Sequence, residues 1–83
     1  MRHALRRLEM SRLIRMDGSG HTTLAEWTVE DPASVEAAVA AFREELDQGS
    51  IAMVSRGSGH AEHVRELPLD EQLVIMRRPI AGG

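Results

Sequence analysis

The chain has no cysteine, no lysine and no tyrosine, and its only aromatic residues are Trp27 and Phe42. Without cysteine there can be no disulfide staple and no thiolate zinc site, so a reducing, cytoplasmic setting is expected. All ten basic side chains are arginine, which leaves no side-chain ε-amine to accept an acyl group or form a Schiff base. With so few rings, Trp27 and Phe42 are expected to anchor the packing. Long apolar runs are missing from the first sixteen residues, where nothing exceeds a pair such as Leu13-Ile14. That is too short for a signal-peptide core or a membrane span.

Eighty-three residues with a net charge of −3 suit one domain with one small core and give no global attraction to phosphate. The first sixteen residues are locally basic through Arg2, Arg6, Arg7, Arg12 and Arg15. They carry no interleaved aromatics for base stacking, which argues against nucleic-acid binding. Residues 1–8 fit a helical turn or a frayed extension equally well and stay open as an N-terminal extension. The domain proper is expected over 9–78, with a tail over 79–83.

Residues 9–16 alternate imperfectly and run into Asp17-Gly18-Ser19-Gly20, a tight-turn signal. Residues 22–29 are rich in β-branched and aromatic types, with Thr23, Ala25, Trp27 and Val29 expected on one face. The two segments read as a hairpin. Asp31 is a good N-cap, Pro32 suits the first helical position, and Gly49 stands past the end, so a helix is expected over about 32–48. Val35, Ala38, Val39, Phe42 and Leu46 form its apolar stripe, while Glu36, Arg43, Glu44 and Asp47 face water. Ile51-Ala52-Met53-Val54 reads as a short strand with Ala61–Leu67 as its antiparallel partner. Leu73-Val74-Ile75-Met76 reads as a last strand buried on both faces. The helix stripe is expected to pack on Trp27, Ile51, Met53 and Leu73 or Ile75.

A hairpin, one amphipathic helix, short strands and a buried last strand make an α+β chain in the β-grasp, or ubiquitin-like, order. A ferredoxin-like fold would need a second helix after Gly49, and no segment supplies one.

The terminal Arg77-Arg78-Pro79-Ile80-Ala81-Gly82-Gly83 is the most informative stretch. At average glycine usage two glycines end a chain in roughly 0.5% of cases, so their position directly after a last strand adds most of the weight. Leu69-Asp70-Glu71-Gln72-Leu73-Val74-Ile75-Met76 followed by Pro79-Ile80-Ala81-Gly82-Gly83 resembles the end of molybdopterin synthase small subunits and related sulfur carriers. About fifteen residues resemble that family closely, and the rest resembles it in element order alone. Arg77 and Arg78 depart from the apolar or proline residues usual there and look more like the basic pair before the diglycine of ubiquitin.

The resemblance implies a ubiquitin-like carrier or modifier whose Gly83 carboxylate, exposed by Gly82, is adenylated with ATP. The ATP is used by an activating partner, and no cofactor is bound by the carrier. It implies Arg77, Arg78, Pro79 and Ile80 as the segment read by that adenylating enzyme. It also implies an acceptor protein or sulfur-transfer partner, and for a modifier a diglycine-cleaving metalloprotease. Three readings stay open: sulfur carrier, protein modifier, and a non-catalytic β-grasp structural or adaptor subunit, for example of a viral assembly. A terminus whose glycines do nothing is the plain alternative for the tail.

Nothing else in the chain assembles chemistry. Gly18-Ser19-Gly20-His21 and Gly57-Ser58-Gly59-His60 repeat one tetrapeptide, but neither opens a helix nor carries a P-loop lysine, so both read as turns. His60 and His63, even with His21, are too loosely spaced for a metal site without cysteine. Ser55 or Ser58 beside His60 makes no triad. No catalytic residue, no metal ligand and no membrane contact are expected.

Overall fold

The computed structural model describes residues 10–55 and 59–78. In chain order these form β1 (Ser11–Asp17), β2 (Gly20–Trp27), α1 (Pro32–Asp47), β3 (Ile51–Ser55), β4 (Ala61–Val64) and β5 (Leu73–Arg77). The strands make one five-stranded mixed sheet in the order β2-β1-β5-β3-β4. β1 and β5 run parallel at its centre, while the β1–β2, β3–β5 and β3–β4 pairs are antiparallel. The parallel pair exists because α1 and the short strands form the crossover between its two members. The described residues are thus α+β, one helix on a five-stranded sheet.

Local chemistry fixes the turns. Between β1 and β2 the Asp17 carboxylate accepts from the Ser19 backbone N–H and hydroxyl, both at 2.9 Å. This closes an Asx turn. The left-handed residue is Gly20 (φ 130°), where a side chain would be strained. The α1 N-terminus is capped by Asp31, whose side chain accepts from Ala33 N–H at 3.2 Å, with Pro32 opening the helix. Ser34 ties this cap to the end of the hairpin, accepting from Thr28 N–H at 3.1 Å. At the C-terminus Gly49 adopts φ 98°, and Gly49 N–H and Ser50 N–H donate back to the Leu46 and Glu45 carbonyls, each at 3.0 Å. These are the paired bonds of a Schellman stop, which glycine permits at low steric cost.

The core is Leu13, Trp27, Ala38, Phe42, Ala52, Val54, Val74 and Met76. Trp27 and Phe42 are the largest buried side chains of this core, ahead of Leu13 and Met76, and the Trp27 indole N–H donates to the Leu69 carbonyl at 3.2 Å. Burying such rings stabilises by about 1.5–3 kcal/mol each.

Three expectations are corrected. The core-facing residues of β3 and β5 are Ala52, Val54, Val74 and Met76, not Ile51, Met53, Leu73 and Ile75. A continuous apolar run carries no parity, and the register Ala52↔Met76 and Met53↔Ile75 puts the two sets on opposite faces. Second, β5 is covered on one face only, since Leu73 is 41% exposed. Third, Thr23 and Val29 do not share the Trp27 face. Leu13 pairs with Ala25 and Ile14 with Thr23, so Leu24 is an extra residue that breaks the alternation as a bulge does. Val29 lies past the end of β2 and is 65% exposed.

Candidate functional site at the root of the tail

The sequence places its functional residues just after β5, and the strand pairing fixes where that point lies. Arg77 ends β5, opposite Met16 of β1 and Ile51 of β3. It is exposed. Counting in twos from Ile75, its side chain lies on the sheet face away from α1. Arg78 follows, beside the C-terminal end of α1. Pro79, Ile80, Gly82 and Gly83 lie outside the described residues.

Arg78 has a folded role that sequence reasoning missed. Its guanidinium donates to Gln48 Oε1 and stands 3.7 Å from Glu45 Oε2. The same Glu45 oxygen accepts from Arg15 Nη1 of β1 at 2.8 Å. Its other oxygen accepts from the Ser50 hydroxyl at 2.8 Å. Glu45 therefore joins the middle of the sheet, the start of β3 and the first residue beyond β5 to the last turn of the helix.

A buried carboxylate is tolerated only when its oxygens are paired, and here both are. The helix needs these partners for a second reason. Its last turn carries Glu44, Glu45 and Asp47 and no basic residue, an arrangement the negative end of a helix dipole disfavours. Arg15 and Arg78 bring the missing cations from the sheet. The signal in the sequence was Glu45 itself, three residues after Phe42 and seven after Ala38, an acid on the apolar stripe.

At the ends of the paired strands β1 and β5 lies a hollow of about 520 Å³ lined by Arg15, Met16, Asp17, Gly18, Arg77 and Arg78. Arg15 and Arg78 direct their guanidiniums to Glu45 on the helix side, while Arg77 lies on the other face, so the three arginines do not converge on one group. Asp17 is held below the ordinary carboxylate range, first by the Ser19 backbone N–H, then by the Ser19 hydroxyl, with Arg15 and Gly20 helping. It stays ionised at neutral pH.

Other candidates are dispersed. His21 is on β2 and His63 on β4, at opposite edges of the sheet, and His60 directly precedes β4, so the three histidines do not converge. Among the described residues no group of three His, Asp or Glu side chains could hold a metal. No described helix is long and apolar enough to cross a membrane. Ser58 and Gly57 of the second Gly-Ser-Gly-His repeat lie outside the described residues, while Gly59 takes φ 77°. No family model matches the chain, and searches of curated proteins and of solved structures return no match.

Proposed function

We propose that this chain is a β-grasp carrier whose Gly83 carboxylate is activated by adenylation and then passed on as a thiocarboxylate or an isopeptide donor. The observation that carries the reading is positional. A central strand, parallel to β1 and hydrogen-bonded on both sides, ends at Arg77 and is followed by Pro79-Ile80-Ala81-Gly82-Gly83. The strand order β2-β1-β5-β3-β4 and, among the described residues, one helix on one face support the same reading.

The chemistry follows from what the tail carries. A carboxylate is a poor acyl donor. Attack of a Gly83 carboxylate oxygen on the α-phosphorus of ATP releases pyrophosphate and leaves an acyl adenylate. A thiol then takes the acyl group as a thioester, the isopeptide donor, or a partner's persulfide takes it as an acyl disulfide that a second thiol cleaves to free the thiocarboxylate; in either case AMP departs. Those steps belong to an adenylating partner. Gly82 and Gly83 supply a backbone without Cβ that can enter a narrow channel in conformations other residues reach poorly.

The root of the tail suits presentation to such a partner. Arg78 is tied to α1 through Glu45 and Gln48, so the residue before Pro79 is held at a fixed point. Arg77, exposed and with no ion pair among the described residues, is the cation left for an acidic partner surface. A diglycine-cleaving metalloprotease and an acceptor lysine follow if the chain is a modifier. With no lysine of its own, it would add as single units.

The test is intact mass of the protein isolated from its host. A chain ending at Gly83, with a fraction carrying a terminal thiocarboxylate or joined to another protein through Gly83, supports the proposal. A chain that continues beyond Gly83, or one that bears only a free carboxylate in a host expressing adenylating enzymes of this type, overturns it. The structural or adaptor reading would then stand.

A further inference from the structure

The outer edge of β2 has the features of a self-pairing site. β2 is an edge strand and pairs with β1 alone among the described residues. One bond on β1 fixes the direction of the backbone groups of both strands. Arg12 N–H donates to the Gln72 carbonyl at 2.9 Å, on the β5 side of β1. Arg12, Ile14 and Met16 therefore aim their backbone groups at β5, while Leu13, Arg15 and Asp17 aim theirs at β2. The register Arg15↔Thr22 and Asp17↔Gly20 then turns Thr22 and Gly20 inward. His21 and Thr23, between and beyond them, turn their N–H and C=O groups outward. Neither residue takes part in another hydrogen bond or ion pair among the described residues. α1 packs on β2, but toward its far end, where Trp27 is buried and Leu24 and Ala25 are half-buried; Gly20 to Thr23 are exposed.

Three observations indicate that a second copy of this chain fits the edge. The first is charge. Gly20-His21-Thr22-Thr23-Leu24 contains no Asp, Glu, Arg or Pro, the residues that usually blunt an edge. Symmetric pairing sets a strand against itself, so a charge at its centre would meet its own kind, and none stands there. The second is register. Placing His21 opposite Thr23 of the second copy closes a hydrogen-bonded pair on each side of the two-fold axis. Thr22 then meets Thr22 at the centre, a favourable cross-strand pair, and His21 faces Thr23 rather than its own copy. The third is shape. The same register sets Gly20 opposite Leu24, both on the helix side of the sheet. Gly20 has open space where a Cβ would point, and Leu24 is the apolar side chain that would fill it. The charges around the stretch are already engaged: Arg15, behind Thr22, with Glu45; Asp17, behind Gly20, with Ser19; and Glu26, on the other face, with Arg12 at 3.4 Å.

We infer that this chain self-associates through β2, two copies adding edge to edge in antiparallel fashion so that their sheets become one. Backbone bonds at His21 and Thr23 supply the affinity, and the uncharged Thr22 pair with Leu24 over Gly20 supplies the register. The contact is short, well below the size of a standard stable interface, so the dissociation constant should be on the order of 0.1–1 mM. β1 separates β5 from the contact, and the inference is independent of Gly83 and of the carrier reading.

The experiment follows the full ¹⁵N-labelled chain from about 20 μM to about 1 mM by sedimentation equilibrium and amide spectra, a range that brackets the expected constant. The mean mass should climb toward that of two copies, and the amide shifts should concentrate between Gly20 and Leu24, largest at His21 and Thr23. Thr22→Glu and Thr22→Arg each set like charges against each other at the centre. Each alone should weaken association about threefold to fivefold, and an equimolar mixture of the two should restore it. Thr23→Pro removes an outward N–H and leaves the bonds to β1 in place, so it should weaken association about tenfold. If that variant does not fold, the mixture of the two Thr22 variants decides. A monomer across the whole range, shifts confined to β4 or to the Ile75 face, or a mixture no tighter than its components would overturn the inference. So would a monomeric chain whose His21 and Thr23 amides shift only on addition of a different host protein, which would give the edge to that protein.

Discussion

Removing the Glu45 carboxylate tests whether it is the fastener that the structure makes it. The side chain is 7% exposed and accepts 2.8 Å bonds from Arg15 and Ser50, with Arg78 at 3.7 Å. Glu45→Ala leaves the Ser50 hydroxyl buried without its acceptor, which costs about 1–3 kcal/mol. It also frees Arg15 and Arg78, but their side chains are 30% and 45% exposed. Water therefore takes over much of their solvation, and the ionic part shrinks to about 1 kcal/mol. A total of about 3 kcal/mol is expected, out of about 4–12 kcal/mol for a chain of this size. At a urea slope of about 1 kcal/mol per molar, the unfolding midpoint should fall by roughly 3 M. Glu45→Gln keeps an acceptor for Ser50 and should lose about 1–2 kcal/mol. Arg78→Ala should cost no more than about 1 kcal/mol, and its effect should shrink in the Glu45→Gln background, because the two act as one unit. A Glu45→Ala protein within about 0.5 kcal/mol of the parent would refute this account.

Phe42, 2% exposed at the centre of the core, should lose about 3–5 kcal/mol on change to Ala, read as a fall in melting temperature; an unmoved transition would mean the helix stripe is misplaced. Val74→Ala should cost about 1–2 kcal/mol and Leu73→Ala less than about 1, because Val74 is enclosed and Leu73 is 41% exposed; the reverse order in urea unfolding would return β5 to the opposite parity. For Asp17, whose folded carboxyl sits below its ordinary value, the stabilising contribution is present above about pH 4 and fades as pH falls through the lower folded value. Asp17→Asn should therefore lie closest to the parent in acid and diverge toward neutrality; a constant difference from pH 2 to pH 7 would contradict this.

How far the sequence could be read depended on the kind of signal. Asp31, Pro32 and Gly49 located α1 well because capping chemistry is local, and the Asp17–Gly20 turn was legible for the same reason. Element order followed from those punctuation marks. Side-chain parity in β3 and β5 did not, because Ile51-Ala52-Met53-Val54 and Leu73-Val74-Ile75-Met76 are apolar at every position and only pairing decides which set meets the helix. The Leu24 irregularity was hidden for a related reason: a bulge adds one residue without changing composition. Arg78 looked like a spare charge because its partners, Glu45 and Gln48, are thirty or more residues away in sequence. A long-range ion pair leaves no local mark, although an acid on an apolar helical stripe was a clue that some cation had to reach it.

The central proposal is that Gly83 is the reacting residue, and ATP–pyrophosphate exchange assayed with adenylating enzymes of the same host measures its activation directly. With the full chain as acceptor, exchange should run, and it should stop when Gly83 is deleted or one residue is added after it. Both altered chains should unfold within about 0.5 kcal/mol of the parent, as changes beyond the packed elements do. Exchange that continues without Gly83, or that fails with the intact and folded chain, would contradict the account.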